Sequence, residues 1–166
     1  MKRRLFVAVL ITSRILIAQE KPHEHSAGDH QSQVNERGDH VMGFSHEKTT
    51  HHFRLFTDGG SIDVGANDPK DTESRNQIQM HLSHIAQMFA AGDFKAPMLI
   101  HDQVPPGVPV LEKLKNVVTY RFEKTERGGR VRITTQNGEA LRALHEFLRF
   151  QITDHHTGDP LEILKP

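Results

Sequence analysis

The 166-residue chain contains no cysteine and no tryptophan. The absence of cysteine excludes disulfides, thiolate metal ligands, iron–sulfur clusters, covalent haem attachment through cysteine and cysteine nucleophiles. No stretch of about 18 residues is apolar and free of charge, which excludes a protein with several membrane spans. Neither sign of charge is in excess, because 21 basic residues balance 21 acidic ones. Such a balance gives no support for general nucleic-acid binding.

Histidine is the residue that the chain has in excess, with 13 copies. Imidazole nitrogens bind zinc, copper and nickel well, and a metal site needs two to four converging ligands. Because no thiolate is present, the histidines are the main chemical feature of the sequence. They point towards metal handling.

The first 18 residues resemble a secretory signal peptide. Met1-Lys-Arg-Arg supplies a basic start, and residues 5–18 are mostly apolar, although Arg14 interrupts them. We therefore expect a periplasmic or secreted protein, with a mature chain that starts near Gln19 and carries 17 basic and 21 acidic residues. No stable membrane insertion is expected once the leader is removed. The alternative is a cytoplasmic protein that starts at Met42.

Residues 19–47 are polar and follow neither a helical nor a strand period, which predicts a disordered linker. Its histidines are His23, His25, His30, His40 and His46. His23 and His25 flank a glutamate and have the spacing to wrap loosely around a divalent ion. The alternative is a solvated linker that merely happens to be rich in histidine. A folded domain is predicted over 48–160, followed by a tail at 161–166.

The first half of the domain has the pattern of two strands and a helix. Residues 51–56 alternate as a strand, Asp58-Gly-Gly predicts a hairpin turn, and residues 61–66 continue as a second strand. Asp68-Pro69 predicts the start of a helix that runs to about Ala91.

The second half repeats this pattern. Val118 starts a third strand, Arg127-Gly-Gly-Arg predicts a turn into a fourth, and Asn137 predicts the cap of a second helix that ends before Gly158. Between the two halves, residues 97–109 contain four prolines and predict a long loop, and Val110–Lys115 predict one further helical turn.

Both predicted helices have one apolar face. A four-stranded antiparallel sheet with the two helices on one side would bury both faces in a single core. We therefore predict an α+β two-layer sandwich built from repeated ββα units. The chain order ββαββα is a circular permutation of the ferredoxin-like order βαββαβ.

Several segments of the domain carry a resemblance to known proteins. They are Val41-Met-Gly-Phe, Lys48-Thr-Thr-His-His-Phe, Met80-His-Leu-Ser-His-Ile, Pro105-Pro-Gly-Val-Pro and His145-Glu-Phe-Leu-Arg-Phe-Gln-Ile. The chain resembles a family of small His-rich bacterial proteins, many of which carry a leader and a His-rich linker. The resemblance covers about residues 41–160. It implies a bacterial origin and a His-rich domain, without implying an activity.

Histidines on the apolar helix faces form one candidate metal site. His81 and His84 are three residues apart and share a helix face. His145 interrupts the apolar face of the second helix, and antiparallel helices would place it nearly level with His81. His101, in the predicted loop, would approach the same end. The alternative is that these histidines are hydrogen-bonded core residues.

A second candidate site lies where the first strand begins and the second helix ends. It would combine His51 and His52 with His155 and His156, and Asp154 and Asp159 would add carboxylates. The alternative is a solvated helix end beside a strand end.

The outer face of the sheet is predicted to be basic. It carries His52, Arg54, Arg121, Arg130 and Arg132, with Asp63 and Glu123 among them. Phe56 is the single aromatic residue on this face that could stack on a base, so we expect no nucleic-acid partner. A solvated face or a homodimer contact fits this composition better.

Taken as a whole, the sequence favours an exported metal-binding protein that holds copper or zinc through linker and domain histidines. Methionine thioethers suit Cu(I), and imidazoles suit Cu(II) and Zn(II). No HExxH, GxSxG or P-loop motif is present, so no catalytic residue is nominated and an enzyme is less favoured. The alternatives are haem binding through His81 or His145, a metal-dependent enzyme with Glu146 as base, and an interaction module that uses the basic sheet face.

Overall fold

A computed structural model describes residues 27–165. The predicted signal peptide and the linker histidines His23 and His25 lie outside the described residues. Across the described part of the chain, every helix is too short or too polar to span a lipid bilayer.

The described residues form five α-helices, a five-stranded sheet and a short 3₁₀ turn at Lys115–Val117. In chain order the elements are α1 (Ala27–Met42), β1 (Thr49–Phe56), β2 (Gly59–Ala66), α2 (Thr72–Ala90), α3 (Lys95–His101), α4 (Val108–Lys113), β3 (Val118–Lys124), β4 (Gly128–Thr135), α5 (Gly138–Asp154) and β5 (Ile163–Leu164).

Two hairpins build most of the sheet. β1 pairs antiparallel with β2, and β3 pairs antiparallel with β4. β2 and β4 meet antiparallel at the centre, while β5 pairs parallel with the end of β1. The strand order is β3-β4-β2-β1-β5, so the fold is α+β with a mixed, open sheet. The prediction of four antiparallel strands missed β5, which lies in the segment that was expected to be a tail.

Glycines at the starts of β2 and β4 let the helices pack closely on the sheet. A Cβ atom at Gly60 would lie 2.3 Å from the Leu148 side chain of α5. A Cβ atom at Gly128 would lie 2.2 Å from the Val64 carbonyl oxygen of β2 and 3.0 Å from the Ile78 side chain of α2. α2 covers β3 and β4, and α5 covers β1 and β2. Side chains from both helices and the sheet therefore enter one hydrophobic core.

The two long helices begin at polar caps. The Asp71 carboxylate accepts a hydrogen bond from the Ser74 backbone N–H at 2.9 Å, so α2 begins three residues later than Asp68-Pro69 predicted. Asn137 caps α5 as predicted, because its side-chain oxygen accepts from the N–H groups of Glu139 and Ala140. Each cap satisfies N–H groups that have no partner within the helix.

The structure differs from the predicted loops in two places. Part of the expected disordered linker forms α1, in which Val34 is fully buried. The expected long loop at 97–109 contains most of α3 and the first turn of α4, whose remaining residues fall in the predicted helical turn at Val110–Lys115. α1 buries few apolar side chains, and α3 and α4 are only 7 and 6 residues long, so neither segment has an apolar helical period long enough to be recognised in the sequence.

Candidate functional site

A small apolar cavity lies where the start of β1, the middle of α2 and the end of α5 meet. Its volume is about 60 Å³. The imidazoles of His51, His81 and His155, the Met42 thioether and the Gln151 amide are its possible ligand groups, and the other lining residues are apolar. Within residues 27–165, no carboxylate side chain lines this cavity.

Aromatic contacts hold the three imidazoles together. The rings of His51 and His155 are stacked, with centroids 5.9 Å apart and an angle of 2° between the planes. Phe44 contacts both His51 and His81, at centroid distances of 5.9 Å and 5.6 Å. Phe53 stacks on His155 at 5.7 Å. Phe44 thus joins His81 of α2 to His51 of β1, and His51 in turn contacts His155 at the end of α5.

Burial keeps these imidazoles neutral. Loss of solvation, with repulsion from His81 and His52, lowers the pKa of His51 to about 4 although Asp39 acts in the opposite direction. Loss of solvation, together with the nearby His84, lowers the pKa of His81 to about 4. Loss of solvation, and then repulsion from His51 and His101, lowers the pKa of His155 to about 3. At neutral pH all three rings carry a free lone pair.

None of these three rings has a hydrogen-bond partner among residues 27–165. The Nε2 group of Gln151 is also buried without a partner in that part of the chain. Gln151 Nε2 is fully buried, whereas the three imidazoles are half-buried, so solvent reaches part of each ring.

A hydrogen-bonded chain lies directly behind the cluster. Asp154 accepts from His30 Nε2 at 2.9 Å and from His101 Nδ1 at 2.5 Å. Burial alone would raise the pKa of Asp154, but the hydrogen bonds from His30 and His101 hold it below its usual value. The His101 ring packs edge-on against His155, with centroids 4.8 Å apart. This chain fixes His101 and supports the position of His155.

A larger polar groove adjoins the cavity. Its volume is about 380 Å³, and α1, the start of β1 and the end of α5 form its walls. The groove shares Met42, His51 and His155 with the cavity. These three side chains therefore separate the apolar interior from a more open polar space.

The structure brings together histidines from both predicted groups. His81 and His101 come from the helix group, and His51 and His155 come from the group at the strand end. His145 does not join them. Its Nε2 lies 3.0 Å from the carbonyl oxygens of both Phe56 and Gly59, at the far end of β1.

The remaining predicted ligands lie outside the cavity. His52 is on the outer face of the sheet, where its Nδ1 lies 2.8 Å from Asp159 Oδ1. His84 is exposed on α2, and His156 is exposed at the rim of the groove.

Sequence reasoning missed two groups that line the cavity, Met42 and Gln151. Gln151 stands four residues before His155 on α5, and that spacing places both on one helix face. Met42 had no such signal, because its position depends on how α1 packs.

The cluster is not a preformed metal centre. As the side chains stand, the described residues contain no group of three histidine, aspartate or glutamate side chains arranged to hold an ion. The parallel rings of His51 and His155 would have to turn about their side-chain bonds to bind the same ion.

The outer face of the sheet carries paired rather than free charges. Its ion pairs are Arg54 and Arg130 with Asp63, Arg132 with Asp58, and Arg121 with Glu123. Arg132 also lies over the Phe56 ring, 4.9 Å from its centroid. This pairing reduces the positive charge that the face presents to a polyanion.

The chain matches no protein-family model, no curated protein and no solved structure. Its function is therefore inferred from the chemistry of the cavity and the groove.

Proposed function

We propose that the folded domain binds one copper or zinc ion through His51, His81 and His155. The observation that carries the proposal is that three neutral imidazoles, without hydrogen-bond partners among the described residues, line one cavity. The three rings are half-buried, and no described protein group occupies their nitrogens, so an ion can take the place of the water around them. Neutral imidazole is the form that binds metal ions.

The available ligand atoms favour these two metals. Imidazole nitrogens suit zinc and copper, and the Met42 thioether beside them adds a ligand that Cu(I) prefers. Calcium and magnesium need several oxygen ligands, usually including carboxylates. No described carboxylate lines the cavity, so the cavity does not suit these two ions.

Other groups around the cluster fit a supporting role. The pairing of Asp154 with His101 fixes the ring that packs against His155. Gln151 supports the same ring, because its side-chain amide lies 3.0 Å from His101 Nε2. Binding requires the stacked rings of His51 and His155 to turn, and both rings border the groove as well as the cavity.

The size of the cavity favours an ion over a haem. A volume of about 60 Å³ holds an ion with one or two waters. Pockets for larger cofactors measure at least about 300 Å³. His145, one of the two haem ligands considered from the sequence, is engaged with the carbonyl groups of Phe56 and Gly59.

We further propose that the protein is exported and acts as a metal-binding protein rather than an enzyme. The leader-like residues 1–18 support export, and His23 and His25 would collect ions for the domain. We also infer that β1–β4 with α2 and α5 form a two-layer sandwich in a permuted ferredoxin-like order. The strand order β3-β4-β2-β1 and the shared core of the two helices support this inference.

Titration of the full chain with Zn(II) and Cu(II), after purification without nickel resin, tests the metal site. We expect one tight equivalent. His155→Phe keeps an aromatic ring between His51 and Phe53 but removes the nitrogen ligand, so we expect affinity to fall at least about ten-fold, equivalent to about 1.4 kcal/mol.

The matched control is His40→Asn, because His40 is exposed and lines neither the cavity nor the groove. The control is expected to bind like the unmodified chain. If His155→Phe retains full affinity, the tight site lies elsewhere and the proposal is wrong.

A further inference from the structure

The groove beneath α1 borders the candidate metal site. An ion in the groove would meet Met42, His51 and His155, which line both spaces. The other polar residues that line the groove are neutral amides, hydroxyls and two further histidines, and no described lysine, arginine, aspartate or glutamate side chain is among them. The two further histidines are His46 and His156.

His46 is oriented by a carboxylate. Its Nδ1 lies 3.0 Å and 2.9 Å from the two carboxylate oxygens of Asp39, and its backbone N–H donates to the same carboxylate at 2.7 Å. A carboxylate on Nδ1 keeps the proton there and leaves Nε2 as the ligand atom. Histidines that bind metal ions are commonly held in this way.

His156 occupies a backbone position that favours glycine. It follows the end of α5 with a φ of 50°, and the Thr157 N–H donates back to the Ile152 carbonyl at 3.2 Å. This is the residue after the helix end that is most often glycine, since a side chain there is strained. A histidine at a strained position on the rim of the groove points to a role for its side chain.

We propose that His46 and His156 form an outer binding site for divalent zinc or copper ions, through which ions reach His51 and His155. This inference rests on the proposed function for the inner site. The outer ligands are exposed and bind weakly, whereas the inner ligands lie in an apolar cavity. Ions therefore pass from the groove into the cavity and are retained there.

Stopped-flow transfer of Zn(II) to the full chain from a chromophoric chelator tests the route. We expect the double variant His46→Asn, His156→Gly to load at least ten-fold more slowly than the unmodified chain, with an equilibrium affinity within two-fold. His40→Asn, the matched control, loads at the unmodified rate. Thermal unfolding verifies that each variant is folded.

Loading of the double variant at the unmodified rate would overturn the entry route. A loss of equilibrium affinity as large as that of His155→Phe would also overturn it, because the two histidines would then belong to the inner site. Failure of the inner site alone is recognised separately. In that case His155→Phe binds Zn(II) as tightly as the unmodified chain, which shows that the inner site is absent. His46→Asn still abolishes weak Zn(II) binding at the outer site.

Discussion

The imidazole rings of His51 and His155 are parallel, with centroids 5.9 Å apart. One ring belongs to the first strand of the sheet, and the other follows the last turn of the final long helix. This contact therefore joins the start of β1 to the end of α5. Two stacked imidazoles in an apolar site are compatible only while both are neutral, since protonation adds charge repulsion to the cost of burial.

We expect the metal-free protein to lose stability as the pH falls from about 6.5 towards 4. The pKa values of His51, His81 and His155 are lowered from 6.5 to about 4, 4 and 3, so below pH 6.5 the unfolded chain binds more protons than the folded one. Each group then lowers the free energy of unfolding by about 1.4 kcal/mol per pH unit. Above pH 6.5 these groups contribute no pH dependence.

Urea unfolding with a chelator present, at several pH values between 7.5 and 4.5, measures this effect. His155→Phe is expected to reduce the slope below pH 6.5 by about a third, because one of three equivalent contributions is removed. Asp154 and Asp159, whose pKa values are lowered from 3.8, stabilise the folded state as carboxylates. This contribution is lost only when the pH falls below that value. A constant unfolding midpoint between pH 6.5 and 4.5 would contradict the neutral state of the cluster.

His145→Ala is expected to destabilise the protein without weakening ion binding. The buried imidazole donates to the carbonyl groups of Phe56 and Gly59 at the turn between β1 and β2. Removing it takes this donor from the two carbonyl groups and leaves a cavity behind, at a cost of about 2–4 kcal/mol. Chemical unfolding and Zn(II) titration check the two halves of this prediction. A weaker ion affinity with unchanged stability would instead make His145 a ligand.

Val34→Ala is expected to lower the free energy of unfolding by about 1.6 kcal/mol, because two buried methylene equivalents are lost at about 0.8 kcal/mol each. Val34 is fully buried although it lies in α1. Ser32→Ala, at an exposed position of the same helix, is the control and should change stability little. Equal unfolding midpoints for the two variants would show that α1 does not contribute to the stability of the domain in solution.

His156→Gly is expected to stabilise the protein by about 0.5–1 kcal/mol, because glycine adopts a positive φ without the strain of a side chain. A glycine-to-alanine change at a nearby position with positive φ serves as the comparison. Gly158 has a φ of 73°, and no heavy atom of the described residues lies within 4 Å of the point that a Cβ would occupy there. Gly158→Ala should therefore destabilise the protein through backbone strain alone. Thermal unfolding of both variants would give opposite shifts; a lower midpoint for His156→Gly would show that its side chain stabilises the fold.

Local features of the fold could be predicted from the sequence. The turn between β1 and β2 follows from Asp58-Gly-Gly, and the start of α5 follows from Asn137, because turns and caps depend on residues within about four positions. The position of α1 and the pairing of β5 could not be predicted in this way. Val34 and the pair Ile163–Leu164 are stabilised by contacts with residues far along the chain.

The sequence by itself determined the absence of thiolate chemistry, the excess of histidine and the two repeats of two strands and a helix, since composition and short-range patterns contain that information. Only the tertiary structure decided which histidines meet. His51, His81 and His155 lie on three different elements, and they converge because α2 and α5 pack at particular levels on the sheet. His145 also lies on an apolar helix face, yet it is about 16 Å along β1 from the level of His51, at about 3.3 Å per residue. No local pattern sets the relative level of two packed helices, so the sequence could nominate the ligands but not select among them.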